Sequence, residues 1–156
     1  KNLYFNYPLY LKNGERGQTP FTPAVATLIM LNDRLKRIEE SGGIKAQNEI
    51  MRKRAEYFRK KISSLPFKMF VAGENASNCV TALRPKNPDV NAHKIFEILK
   101  DEYRIWICPN GGEYAEKVFR VGHIGSIKKS EIDRLLKALK QVATKNITNI
   151  SGGGYK

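Results

Sequence analysis

The hydrophobic period of the chain changes at Pro66. Before that residue apolar side chains recur every three or four positions; after it, short apolar runs alternate with turn residues. A 3.6-residue repeat cannot lie flat as a strand, so the pattern demands helices first and a small sheet afterwards.

Val25, Leu28, Leu31, Leu35 and Ile38 share one helical face, and Gly42-Gly43 supplies the stop. Thr22-Pro23 predicts the start, with threonine capping orphan amides and proline at the first helical position. The stripe needs a partner face: it is expected to be buried where that partner is present and exposed where it is not. A second, longer and more exposed helix is predicted from Ile44 to Ser64, with Ile50, Met51, Ala55, Phe58 and Ile62 on one side and most Lys and Arg on the other. Ahead of both, Leu3 to Leu11 mixes Tyr, Phe and Leu with one proline and reads as a short strand or extended arm. The following NGERGQTPFTP is a loop, broken by Gly14, Gly17, Pro20 and Pro23.

Beyond Pro66, FKMFV (67–71) and NCVTALR (78–84) predict a hairpin turned at GENAS. Asn91 can cap a helix carrying Ala92, Ile95, Phe96 and Leu99. YRIWICP (103–109) and KVFRVGHI (117–124) read as strands around the turn NGGE. Ser130 with Asp133 resembles a capping box for a last helix whose core face is Ile132, Leu135, Leu136, Leu139 and Val142. The order after Pro66 is ββαββα. It predicts an α/β (α+β) small domain: a largely antiparallel sheet with helices on one face. The tail NITNISGGGYK is expected to fray, and Asn146 and Asn149 match glycosylation acceptors only formally.

Lys plus Arg total 28 against 15 Asp plus Glu, a net charge of +13. The basic residues are spread along the chain, and the clusters at 52–54 and 59–61 suit a solvated helix face. A basic nucleic-acid-binding module and a stand-alone oligomerisation domain remain alternatives, but the expectation is no nucleic acid. No run of about 18 apolar residues is present, and KNLYFNYPLYLKNGERG lacks a signal-peptide pattern, so a cytoplasmic protein without membrane contact is expected. Cys79 and Cys108 have no zinc-ligand spacing around them.

As an autonomous enzyme the chain is poorly equipped. His93 falls on a predicted helix without a second ligand at metal spacing and reads as a surface or half-buried histidine. Cys108 has no activating base and is expected to be buried and inert. His123, in VGHIG, either lines a site or bridges a turn. Gly111-Gly112 lacks phosphate-loop context. Two places suit anions. Arg120 lies inside the apolar strand FRVG, where a buried guanidinium would need a ligand carboxylate or a structural salt bridge. Gln18 and Thr19 offer donors in GQTPFTP, just before a helix N-terminus, where either a phosphate or ordinary capping would use them.

The combination of TPFTPAV, EESGGI and FRVGHIGSI followed by EIDRLLKALK resembles the C-terminal portion of class V aminotransferases. These are pyridoxal-phosphate enzymes of fold type I; the resemblance runs from about Tyr4 to Val142 and is nearest the alanine–glyoxylate, serine–pyruvate and 2-aminoethylphosphonate–pyruvate branch. It implies that Gln18 and Thr19 contact the cofactor phosphate of the neighbouring subunit in a homodimer, and that Arg120 holds the substrate carboxylate. It implies residues 1–43 as the end of a large domain, with dimer-contact loop and connecting helix, 44–145 as the small domain and 146–156 as a tail. The family's Schiff-base lysine, ring-nitrogen aspartate and stacking aromatic precede the matched segment. The chain is therefore expected to be an inactive C-terminal fragment of an enzyme that moves an amino group from an amino acid or aminophosphonate to a 2-oxo acid, pyruvate or glyoxylate.

Overall fold

A computed structural model describes residues 2–71 and 73–144. The formal glycosylation sites Asn146 and Asn149, with the rest of the tail, lie outside the described residues. The chain divides between Ile44 and Lys45 into two compact units.

The first unit holds α1 (Tyr7–Gly14) and α2 (Val25–Glu40). The aromatic arm is thus a turn followed by a helix from Tyr7, not a strand. Its proline sits in the first turn, where a missing N–H costs nothing, and among the described residues no strand pairs with this segment to satisfy an extended backbone. Asn13, the one buried residue of α1, donates through Nδ2 to the Leu9 carbonyl at 2.8 Å and accepts from Arg16 at 2.6 Å. Tyr4 stacks on Phe21 at 5.1 Å, with Tyr10 6.2 Å from the same ring.

Thr22 does not cap α2. Val25 N–H donates to the Pro23 carbonyl at 2.8 Å, and this tight turn moves the helix start past threonine to an Ala24 cap without a side-chain bond. Gly42 and Gly43 adopt φ values of +97° and +75°, left-handed conformations that end the helix after Glu40. No residue of α2 is buried, and Val25, Leu28, Leu31 and Leu35 are 54%, 57%, 52% and 55% exposed, the apolar surface expected of the stripe without its partner face.

The second unit contains most of α3 (Gly43–Ile62), then β1 (Phe67–Met69), β2 (Val80–Pro85), α4 (Ala92–Tyr103), β3 (Cys108–Pro109), β4 (Phe119–Gly122) and α5 (Lys129–Thr144). Its sheet runs β1-β2-β4-β3, every neighbouring pair antiparallel. Phe58 and Ile62 from α3, Ile95, Phe96 and Leu99 from α4, and Ile132, Leu135, Leu139 and Val142 from α5 pack on Phe67, Leu83, Phe119 and Val121 of the sheet. The helices thus cover one sheet face, as the ββαββα order predicts.

Two local expectations change. Only Cys108–Pro109 of YRIWICP pairs in the sheet, because Tyr103 ends α4, Arg104 turns left-handed at φ 55°, and Ile105 N–H bonds back to the Leu99 carbonyl at 2.9 Å. Ser130 lies inside α5, and the cap position falls on Lys128. Glu131 supplies the return bond, accepting from Lys128 N–H at 2.7 Å, while Asp133 accepts from the Tyr57 hydroxyl. Asn91 does cap α4, its Oδ1 accepting from His93 N–H at 2.8 Å and Lys94 N–H at 3.2 Å. Among the described residues no helix is long and apolar enough to cross a membrane.

Candidate functional site

Arg120 occupies the middle of β4, where Phe119 and Val121 point into the core and Arg120 points the other way. Period-two alternation forces that outcome: the strand is apolar on its helix-covered face only. The guanidinium is therefore exposed and not buried, which removes the desolvation argument for an anion. Among the described side chains no acidic group pairs with it, so the salt-bridge alternative also has no partner. Its one hydrogen bond runs from Nη2 to the Pro109 carbonyl on the adjoining β3 at 3.0 Å. A guanidinium has two forked edges that share Nη2. One Nη2 hydrogen is engaged, and a complete fork remains for a carboxylate.

Ala82 on β2 and Cys108 on β3 flank Arg120 directly, and Phe70 N–H bonds to the Ala82 carbonyl at 2.9 Å. Lys68 faces Arg84 across β1 and β2. Phe70 meets Tyr114 edge-on at 5.4 Å, and the Arg84 guanidinium lies 6.0 Å from the Phe70 ring. Cys108, expected to be buried, is exposed because the strand alternation turns it to this open face.

On the covered face, sequence reasoning missed a buried polar chain. Thr81 Oγ1 accepts from Arg59 Nε at 3.0 Å and lies 2.7 Å from Nε2 of His123, which is 2% exposed. With Arg59 donating, the threonine hydroxyl can pass its own proton toward a neutral imidazole. His123 N–H donates to the Cys79 carbonyl at 2.8 Å, and its ring packs 5.4 Å from Phe58. Burial, with the Arg59 and Arg54 charges adding to it, lowers the His123 pKa to about 4. Arg54 Nη1 holds the same turn through the Gly125 carbonyl at 2.6 Å. His123 both bridges the turn and lines a cleft of about 350 Å³ with Trp106, Cys108, Ile124 and Glu131. The signal for this chain was an arginine on the apolar side of α3, but nothing local to Arg59 identifies Thr81 and His123 as its destination.

Gln18 and Thr19 are exposed in the first unit. Gln18 N–H donates to the Asn13 carbonyl at 2.9 Å, and the Thr19 hydroxyl donates to the Phe21 carbonyl at 2.8 Å. Both side chains are neutral and accessible, which suits a phosphate, and Thr19 would exchange its Phe21 bond for a phosphate oxygen. They lie before Ala24, in the loop and not in the first turn of α2. His93 is half-buried, 3.9 Å from the Glu97 carboxylate and against Phe96.

The profile of the family described as aminotransferase class I and II matches residues 12–139. The chain is 30% identical over 141 residues to the soluble hydrogenase 42 kDa subunit of Anabaena cylindrica, covering 89% of this chain and 36% of that protein. A 2-aminoethylphosphonate–pyruvate transaminase of Bacillus cytotoxicus is 25% identical over 127 residues, covering 81% of this chain and 34% of its own length. The solved alanine–glyoxylate aminotransferase of a Nostoc species superposes with a TM-score of 0.66 at 26% identity, covering 72% of this chain and 29% of that one. The chain belongs to the aminotransferase family, whose members work with pyridoxal phosphate. It spans 30% to 39% of the length of the curated relatives it matches.

Proposed function

We propose that this chain is the C-terminal part of a class V aminotransferase that carries an amino group from an amino acid or aminophosphonate to pyruvate or glyoxylate. The observation that carries this reading is the unpaired guanidinium of Arg120, fixed on one side by the Pro109 carbonyl and open on the other. In this reading Arg120 grips the acidic group of each substrate, the carboxylate of an amino acid or 2-oxo acid or the phosphonate of an aminophosphonate, orienting both half-reactions with one residue. Pyridoxal phosphate, when bound, supplies the electron sink and carries the amino group. Gln18 and Thr19 serve the neighbouring subunit of a cytoplasmic homodimer as neutral donors to the cofactor phosphate. Residues 1–43 then close the large domain and 44–145 form the small one. The chain alone is inactive, because the lysine that binds the cofactor lies outside it.

The test is a pair of titrations on the enzyme that contains this chain. Arg120→Ala should lower catalytic efficiency for both substrates by at least about tenfold, since a charge-assisted hydrogen bond contributes roughly 1.5 to 3 kcal/mol. Arg120→Lys should recover only part of it, because an ammonium cannot reproduce the fork. Cofactor affinity should hold. Thr19→Ala should do the reverse, weakening cofactor retention while sparing substrate constants at saturating cofactor. Kinetic constants within twofold of wild type in Arg120→Ala would end the carboxylate assignment.

A further inference from the structure

The open sheet face holds three exposed cations, Lys68, Arg84 and Arg120. Lys68 and Arg84 are directly opposite across β1 and β2. Like charges so placed oppose strand pairing. Ala82 is the partner of Arg120, and Arg84 follows it by two residues on the same face, so the two arginines are diagonal neighbours about 7–8 Å apart. Helix cations such as Arg37, Arg52 and Lys94 have acidic partners on their own helices. Among the described side chains, none of the three sheet cations forms an ion pair. On β2 the small side chain of Ala82 lies opposite Arg120 and two residues before Arg84, and a Cβ placed on Gly122 would meet nothing within 4 Å. The Phe70 ring, braced by Tyr114, backs the Arg84 guanidinium.

We propose that this face is a two-point site for a dianionic amino acid. Arg120 takes the carboxylate, and Arg84, with Lys68 beside it, takes a second acidic group on the side chain, a carboxylate or a phosphonate. The proposal rests on the carboxylate reading of Arg120 and adds the substrate class to it. Two guanidinium groups rooted about 7–8 Å apart on one face converge on a molecule whose acidic groups are a few carbons apart. A monoanion held by Arg120 leaves the repulsion between Lys68 and Arg84 in place.

The experiment is an amide chemical-shift titration of the 156-residue chain at fixed ionic strength with propionate, succinate and phosphonopropionate, which share one carbon backbone. The dianions should bind at least about tenfold more tightly than propionate, one added charge-assisted contact, with shifts centred on Lys68, Arg84 and Arg120. Arg84→Gln should bring both dianions to within about twofold of propionate and leave propionate unchanged; Arg120→Gln should remove propionate binding. Both positions are exposed, so circular dichroism should show an unaltered fold. Tighter binding of phosphonopropionate than succinate assigns the second group as phosphonate, and the reverse order assigns a carboxylate. Dianions no tighter than propionate, or a gap that survives Arg84→Gln, overturn the second contact while the Arg120→Gln result still upholds the first. Propionate binding indifferent to Arg120 overturns both.

Discussion

The two units of the chain use apolar residues in opposite ways. In the second, Phe58, Leu83, Phe119 and Leu139 are fully buried around one core. In the first, Asn13 is the one buried residue among those described, while Leu28, Ile29 and Met30 are 57%, 63% and 71% exposed. An uncapped helix of 16 residues with no buried side chain is marginal in water, since most helical stability in proteins comes from packing an apolar face. A regular apolar stripe is thus a request for a partner. The second unit answers that request from its own sheet, and the first does not.

Cavity formation gives the largest contrast. Leu83→Ala or Leu139→Ala should destabilise the chain by about 2–5 kcal/mol in urea denaturation, whereas Leu28→Ala in α2 should stay within about 0.5 kcal/mol. Equal losses would mean that α2 is covered in solution.

A smaller effect belongs to the buried histidine of the second unit. The folded-state pKa of His123, about 4, is below the ordinary 6.5, so the unfolded chain binds the extra proton first as pH falls. Stability contributed by the neutral ring is present above pH 6.5, is lost between 6.5 and 4, and changes no further below that. The full loss is up to about 3 kcal/mol. Stability profiles of wild type and His123→Asn should therefore differ in slope within that window. A wild-type slope in His123→Asn would remove the histidine from the acid response.

Helix caps supply the finest distinction. Asn91→Ala should cost about 1 kcal/mol, because two α4 amides lose their acceptor. Thr22→Ala should be neutral within about 0.5 kcal/mol, since its side chain caps nothing in α2. A matching loss at Thr22 would place the α2 start earlier than Val25.

Periodicity alone determined the order of helices and strands after Pro66, the core faces of α4 and α5, and the Asn91 cap, because each depends on neighbours within a few residues. The resemblance carried by TPFTPAV and FRVGHIGSI pointed to the aminotransferase family, which the family match then showed. Tertiary structure decided the rest. Whether LYFNYPLYL is strand or helix depends on having a strand to pair with, and among the described residues it has none. Which side of β4 receives Arg120 depends on where α3, α4 and α5 lie, so a strand that reads as apolar throughout delivers its guanidinium to the open face. The bond from Arg59 to Thr81 joins residues 22 apart, and that from Thr81 to His123 joins residues 42 apart. Long-range partners of that kind leave no period in the sequence, because they are selected by sheet register and helix packing, which exist only once the chain has folded.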